Sequence, residues 1–330
     1  MNGDDRLRWP DAAKGAAIFL VALGHSAMVS ETIKYWIYSF HIPVFFFVSG
    51  YFLRLKEDSV IKTICQKARS MLPLYFICSM AAFAAESLAA GNVRWERLIG
   101  IFVCQQGGKY DGYLWFFPAL LGVQCILIVL LKWFKKPVCI FGICCLLAAA
   151  VCLWSRMEAP RLFWHLDSAF LLAPFAGLGL LVRKSEARVL KHLEPSWKKW
   201  LVIVMLLLFN LGLCVVNSKF GVGHIDYNML VANEAFTCYG SGIAGVLWMF
   251  LFCRQLPGMR WLEFVGENSA VYYCLNWIGS RLSLDILPPV PMTVIAMLAL
   301  WVVPIPVVLI LNRWFPWVLG KSVGRPKRKE

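Results

Sequence analysis

The sequence predicts an all-α polytopic membrane helix bundle of about ten transmembrane helices, with both termini in the cytoplasm. Three observations predict it. Of the 330 residues, 60% are hydrophobic and 16% are charged, whereas a soluble domain carries about 25% charged residues. Apolar segments recur along the chain, each near the roughly 20 residues that cross a bilayer. The positive charges fall mainly in alternate loops between these segments.

The distribution of Lys and Arg predicts the orientation. If successive stretches between apolar segments are assigned to alternate faces, 25 of the 33 Lys and Arg residues lie on one face and 8 on the other. The richer face is cytoplasmic by the positive-inside rule. The net charge of +14 therefore complements anionic lipid headgroups and does not indicate a nucleic-acid surface. We expect a multi-pass protein of the cell (plasma or inner) membrane, with the lipid bilayer as a partner and no nucleic acid.

The first five predicted spans each begin or end at a polar or aromatic boundary. The first follows Trp9-Pro10-Asp11, and the second contains Pro43, which we place in its first turn because a missing N–H is tolerated there. The third follows a basic loop, the fourth begins near Trp115, and the fifth follows a pair of lysines. Their approximate bounds are 12–28, 36–53, 71–90, 113–132 and 138–154.

The last five predicted spans complete the bundle. The sixth begins after His165 and the eighth after Glu234. The ninth contains Glu267 and Asn268, but without it the basic tail, about 313–330, would lie outside the cell, against the charge rule. Their approximate bounds are 166–182, 199–217, 235–253, 264–284 and 291–312. No loop is long enough for a soluble domain, so residues 1–330 are predicted to form a single membrane domain.

The twelve cysteines do not indicate a disulfide framework. Most of them lie within apolar runs, where a cysteine behaves as a small apolar residue. No CxxC pair or Cys/His metal spacing occurs. We expect free thiols and no metal.

Polar residues inside the predicted spans are costly in lipid and indicate function. His25 lies within the first span toward its outer end, and His41 lies near the outer end of the second. Five further residues fall near the same depth: Trp115, His165, Asp167, Glu234 and Asn276. Each alone is more often a structural or interfacial residue. Together they predict a polar cavity that opens toward the outer half of the membrane.

Basic residues lie below the first three spans. They are Lys14, Lys62, Lys67 and Arg69. The positive-inside signal explains most of these charges. The alternative is a phosphate site at the mouth of the cavity, because Lys and Arg donate charge-assisted hydrogen bonds to phosphate oxygens.

Five sequence blocks, in order, resemble acyltransferase family 3, a family of integral-membrane acyltransferases. The strongest are Lys14-x10-His25 and the run from Phe40 to Tyr51, FHIPVFFFVSGY. The others are LWFFPAL from Leu114, Asp167 with PFAG from Pro174, and VGENSAVYY from Val265. The branch that looks most similar contains fucose 4-O-acetylase-like proteins and polysaccharide O-acetyltransferases.

The resemblance implies acyl transfer, usually of acetyl from acetyl-CoA, to a hydroxyl of a cell-envelope carbohydrate. It carries the basic residue over to Lys14 and the histidine to His25. A family motif has Arg three and six residues before a proline, where this chain has Ser70 and Lys67 with Arg69 beside them. The late family block often ends in His, where this chain has Asn276. The implied partners are acyl-CoA and a carbohydrate or lipid-linked saccharide acceptor.

Acyl transfer needs a base for the acceptor hydroxyl and donors for the developing oxyanion. We expect His25 to be that base or a transient acyl carrier. The residues His41, Asp167 and Glu234 are candidates for stabilising the oxyanion or orienting the reacting groups. Lys14, Lys67 and Arg69 are expected to bind the acyl-CoA, and Trp115 and Asn276 the acceptor. Acetyl-CoA is a co-substrate, and no permanently bound cofactor is expected.

Two other classes remain open at the sequence level. A transporter or flippase for an envelope precursor would also have many helices and a polar midplane, and inverted repeats would favour it. The other class is a sensory membrane domain of the same fold that has lost catalysis. It is compatible with Ser70 and Asn276, which stand where the family often has Arg and His. Binding or hydrolysis of acetyl-CoA would separate both from the enzyme.

Overall fold

A computed structural model describes residues 7–25, 29–56, 59–106, 110–158, 160–221, 223–232, 234–256, 258–276 and 301–321. These residues are helical, with an isolated β-bridge between Asp226 and Val231 and no strand among them. The all-α prediction is therefore confirmed for the described part of the chain.

The helices follow the order of the predicted spans. In the first half they are α1 (Trp9–Gly24), α2 (Glu31–Tyr51), α3 (Val60–Ala90), α4 (Trp95–Val103), α5 (Phe116–Trp133) and α6 (Pro137–Arg156). In the second half they are α7 (Leu166–His192), α8 (Ser196–Phe220), α9 (Ala235–Gln255), α10 (Arg260–Glu267) and α11 (Pro304–Trp314). Residues 269–276 are also helical, and short 3₁₀ turns occupy Phe163–His165 and Pro316–Leu319.

Local sequence explains several helix boundaries. Pro10 occupies the first turn of α1 with Asp11 beside it, where a missing N–H and a negative charge both suit the helix start. Ser59 caps α3 by accepting a hydrogen bond from the Lys62 backbone N–H. Gly91 ends α3 with a φ of 64°, a left-handed conformation that glycine adopts without strain.

Within the described ranges, six helices are long and apolar enough to cross a membrane: α3, α5, α6, α7 with its preceding turn, α8 and α9. The helix α1 has 16 residues, so it spans about 24 Å. The ninth and tenth predicted spans fall partly on residues 277–300, outside the described residues. The count of ten spans and the cytoplasmic location of both termini stay predictions.

Glycines let neighbouring helices approach closely. A Cβ at Gly50 of α2 would lie 1.9 Å from the Ala176 carbonyl oxygen, and one at Gly179 of α7 would lie 2.1 Å from the Phe47 oxygen. A Cβ at Gly266 would lie 1.7 Å from the Asp11 oxygen, where α10 packs on α1. Small residues at such crossings are the common means of packing helices in a membrane.

Pro43 differs from its predicted place. The helix α2 begins at Glu31, so Pro43 lies in its interior rather than in its first turn. A proline cannot donate to the carbonyl four residues earlier, here that of Ser39. The hydroxyl of Tyr227 donates to that oxygen at 3.2 Å, and burial raises the pKa of Tyr227 well above its ordinary value. The loop before α9 is thereby fastened to the freed carbonyl.

Candidate active site

A cavity of about 360 Å³ lies among α1, α2, α3, α5 and the helical residues after α10. Its wall is mainly apolar, with side chains such as Phe45, Phe116 and Leu120. The volume falls in the range of small-molecule sites, about 300–1,000 Å³. None of the seven residues named for the predicted outer polar cavity lines this cavity, and its charged residues lie at the end that the charge distribution predicts to be cytoplasmic.

Two of the three predicted acyl-CoA residues line this cavity. Lys14 and Lys67 face it from α1 and α3, and the ammonium of Lys14 lies 2.9 Å from the Asp11 carboxylate. Arg69 is exposed and is not among the lining residues. Ser70 lines the cavity and donates its hydroxyl to the Lys67 carbonyl at 2.8 Å.

A polar network that the sequence analysis missed lies at the same end of the cavity as Lys14 and Lys67. The Nζ of Lys321 donates to Asn312 Oδ1 at 2.5 Å and lies 3.5 Å from Glu267 Oε1. Asn312 in turn donates to Asn268 Oδ1 at 3.1 Å. Glu267, Asn268 and Lys321 all line the cavity. The VGENSAVYY block therefore forms one wall of it.

The cavity extends along α1 toward His25. It reaches Val21, seven residues after Lys14, which corresponds to about 10 Å along the helix axis. On α2 it reaches Ile42, next to His41. His25 lies one turn beyond Val21, whose carbonyl accepts the His25 backbone N–H at 3.2 Å. The described lining thus ends one helical turn below the His25 ring.

His25 caps the C-terminal end of α1, and the residue as a whole is exposed. Its Nδ1 lies 3.3 Å from the hydroxyl of Tyr38 on α2. The Tyr38 ring packs against His224, with centroids 4.2 Å apart, and against His41 at 5.0 Å. Asp226 is near enough to interact electrostatically with His25 and Tyr38. Three imidazoles and a carboxylate thus surround one tyrosine.

The loop that supplies His224 and Asp226 is anchored on several sides. Asp226 exchanges two backbone hydrogen bonds with Val231, at 2.8 and 2.9 Å, and its carboxylate accepts the Asn228 and Met229 N–H groups. Arg161 donates to the Asn228 carbonyl at 2.8 Å. These contacts fix the loop before any substrate binds, which favours a precise site.

His41 is buried, and its Nδ1 lies 2.7 Å from the Ile37 carbonyl oxygen. Since a carbonyl can only accept, Nδ1 carries the hydrogen, and in the neutral ring the lone pair of Nε2 is the hydrogen-bond acceptor. A neutral His41 can therefore accept a hydrogen bond from a hydroxyl. It can donate to an oxyanion only when the ring is protonated.

The two candidate carboxylates have other partners. Asp167 is fully buried and pairs with Arg161, Nε to Oδ2 at 2.6 Å and Nη2 to Oδ1 at 3.2 Å. It also accepts the backbone N–H groups of Leu162 and Ser168. Glu234 is exposed at the start of α9, with Arg156 at 3.8 Å. The structure does not bring either carboxylate to His25.

Trp115 and Asn276 occupy different parts of the fold. Trp115 precedes α5 and packs against His165, with ring centroids 5.9 Å apart. His165 is buried, 3.5 Å from the Ser168 hydroxyl. Asn276 is buried and is the last described residue before position 277. Neither Trp115 nor Asn276 lines the cavity.

Comparison with known proteins decides the family. The sequence model of acyltransferase family 3, described as an acyltransferase domain, matches residues 7–313. The chain belongs to this acyltransferase family. No curated protein and no solved structure matches. The family match agrees with the resemblance seen in the sequence, and the apolar helices make the protein a multi-pass membrane acyltransferase.

The residues that the sequence analysis missed have one cause in common. His224 and Asp226 lie about 200 positions after His25, and Lys321 lies about 250 after Lys67. No motif spacing connects residues so far apart. The only sequence signal was a His and an Asp in a predicted outer loop, where polar residues are ordinary.

Proposed function

We propose that this membrane acyltransferase moves an acetyl group from acetyl-CoA to a hydroxyl of a cell-envelope carbohydrate, free or lipid-linked, in the cell membrane. The observation that carries the proposal is the cavity, with lysines at its cytoplasmic end and a path along α1 toward His25. The distance from Lys14 to His25, about 16 Å along the helix, suits an extended pantetheine arm. The phosphates would lie near Lys14 and Lys67, and the thioester near Val21.

In the proposed reaction, His25 removes the proton from the acceptor hydroxyl. The oxygen attacks the thioester carbonyl, the C–S bond breaks, and the CoA thiolate leaves with a proton. Base action at Nε2 requires the hydrogen on Nδ1, so Nδ1 donates to the Tyr38 oxygen. Their 3.3 Å separation is slightly long, as catalytic hydrogen bonds often are before substrate binds. Transient acylation of His25 would use the same geometry.

The surrounding side chains have proposed roles in binding the acceptor. The Nε2 of His41 would accept a hydrogen bond from a sugar hydroxyl, which favours acceptor orientation over oxyanion stabilisation. Trp115 offers a half-buried aromatic face, and Asn276 would hydrogen-bond the sugar. Asp167 and Glu234 could act on these groups only indirectly, through Arg161 and Arg156.

The test is acetyl transfer from radiolabelled acetyl-CoA by membranes that contain the protein, with an envelope fraction that retains both free and lipid-linked saccharides as acceptor. His25→Asn should abolish the transfer. The matched control is His192→Asn, because His192 is an exposed histidine near the C-terminal end of α7 whose Nδ1 bonds only the Arg188 carbonyl. Full transfer by the His25 variant would eliminate the chemistry. Wild-type protein that neither binds nor consumes acetyl-CoA would favour a transporter or an inactive sensory domain.

A further inference from the structure

Lys321 lies at the cytoplasmic end of the cavity, although it comes from the far end of the chain. The 3₁₀ turn Pro316–Leu319 and Gly320 precede it. Gly320 has a φ of 66°, and a Cβ there would lie 2.5 Å from the Cα of Ser70. The segment therefore packs directly on α3, three residues after Lys67. Lys321 and Lys67 line the same cavity.

The contacts of Lys321 hold its ammonium in place yet leave it available. Asn312 accepts its strongest hydrogen bond, at 2.5 Å. Glu267 lies 3.5 Å away, and the two side chains are 41% and 38% exposed. Ion pairs with such exposure contribute little to stability. An incoming anion can therefore take the place of the Glu267 carboxylate at small cost, while Asn312 keeps the lysine oriented.

The charges around the cavity favour an anion. Among its described lining residues are three lysines, Lys14, Lys67 and Lys321, and one carboxylate, Glu267. Lys14 is already paired with Asp11 at 2.9 Å, so Lys67 and Lys321 are the lysines of this lining that offer charge-assisted donors of the kind phosphate oxygens prefer. The exposed Arg313 of α11 carries the same charge on the same part of the chain but does not line the cavity. Lys321 therefore differs from Arg313 by its position at the cavity and not by its charge.

We propose that Lys321 binds a phosphate group of the acyl-CoA, and that residues 316–321 form part of the donor site. The inference rests on the proposed function, since it takes acyl-CoA as the donor. It adds a third cation, from the end of the chain, to those of α1 and α3. The same chemistry could bind the phosphate of an anionic lipid, so the experiment separates the two sources.

The experiment is isothermal titration of the purified full chain with CoA, in nanodiscs of the zwitterionic lipid phosphatidylcholine. Lys321→Ala should weaken CoA binding about tenfold, the loss expected for one hydrogen bond to a charged group. Arg313→Ala, the matched control, should bind as the wild type does. Gly320→Ala keeps the lysine but collides with Ser70, and it should also weaken binding. Pantetheine, which lacks the phosphates, should bind the wild type and Lys321→Ala equally.

Wild-type affinity for CoA in Lys321→Ala would overturn the inference and leave the proposed function standing. A tenfold loss that appears equally with pantetheine would also overturn it, because the effect would not involve phosphate. A parallel titration in nanodiscs that also contain phosphatidylglycerol measures the bound anionic lipid: less phosphatidylglycerol on Lys321→Ala than on the wild type, with unchanged CoA affinity, would assign the lysine to lipid instead. A wild-type protein that binds no CoA would refute the proposed function itself.

Discussion

Asp167→Asn is expected to reduce stability while leaving the chemistry of each folded molecule intact. The Asp167 carboxylate is fully buried and accepts hydrogen bonds from Arg161, Leu162 and its own neighbour Ser168. The asparagine amide keeps the shape of the carboxylate but lacks the negative charge that pairs with Arg161. Breaking a buried pair costs about 3–5 kcal/mol, and the Arg161 side chain is 20% exposed, so we take the lower end, about 3 kcal/mol.

That free energy corresponds to a measurable fall in melting temperature. A 330-residue chain has an unfolding entropy of about 0.7 kcal/mol per kelvin, so a loss of ~3 kcal/mol lowers Tm by about 4 °C. The assay is thermal unfolding in detergent, followed by the fluorescence of a thiol-reactive dye at the buried cysteines. Acetyl transfer, measured well below Tm and normalised to folded protein, should stay within about twofold of the wild type.

Glu234→Gln is the matched control, since it removes the other carboxylate that the sequence nominated. Its pair with Arg156 spans 3.8 Å, with side chains 64% and 79% exposed, and such pairs contribute about 0–1 kcal/mol. Its Tm should therefore change by about 1 °C or less. If Asp167→Asn melted with the wild type yet lost transfer, Asp167 would act in the reaction and the structural interpretation would be refuted.

Three further variants test the packing and the site. Gly179→Ala should destabilise the protein severely, because the added Cβ would lie 2.1 Å from the Phe47 oxygen. The control Gly142→Ala should be neutral, since nothing lies within 4 Å of its Cβ. Equal Tm values of the two variants in detergent would contradict this packing. Tyr38→Phe removes the hydroxyl that lies 3.3 Å from His25 Nδ1. It should lower kcat for transfer about tenfold, the value of a single hydrogen bond, and leave CoA affinity unchanged. An unaltered kcat would show that Tyr38 does not position His25.

Much of α1 could be predicted from local sequence. Hydropathy placed the first span at 12–28, and the helix runs from Trp9 to Gly24 with His25 at its C-terminal end. The resemblance to the family nominated Lys14 and His25, which share this helix, and Lys14 lines the cavity. Such features need only the chain within a few turns. The six long apolar helices were predictable for the same reason.

Features that depend on contacts between distant segments were not predictable. Pro43 was expected in a first turn, yet α2 begins twelve residues before it, at Glu31. Its freed carbonyl is satisfied by Tyr227, 184 positions after Pro43. The exclusion of Arg69 from the cavity depends on the rotation of α3, which a loop's charge count does not determine. The helix α4, within a predicted outer loop, is also new.

The measurement that tests the central claim most directly is site-resolved labelling by chloroacetyl-CoA. Its electrophilic carbon occupies the place of the acyl methyl group, and a cysteine thiolate displaces the chloride. Val21→Cys, at the upper end of the cavity, should be alkylated, and excess CoA should suppress the reaction. Phe19→Cys, exposed on α1 and absent from the lining, should not react in a CoA-dependent way. The opposite result would contradict a path through the cavity to His25: Phe19→Cys labelled in a reaction that CoA suppresses, and Val21→Cys not labelled.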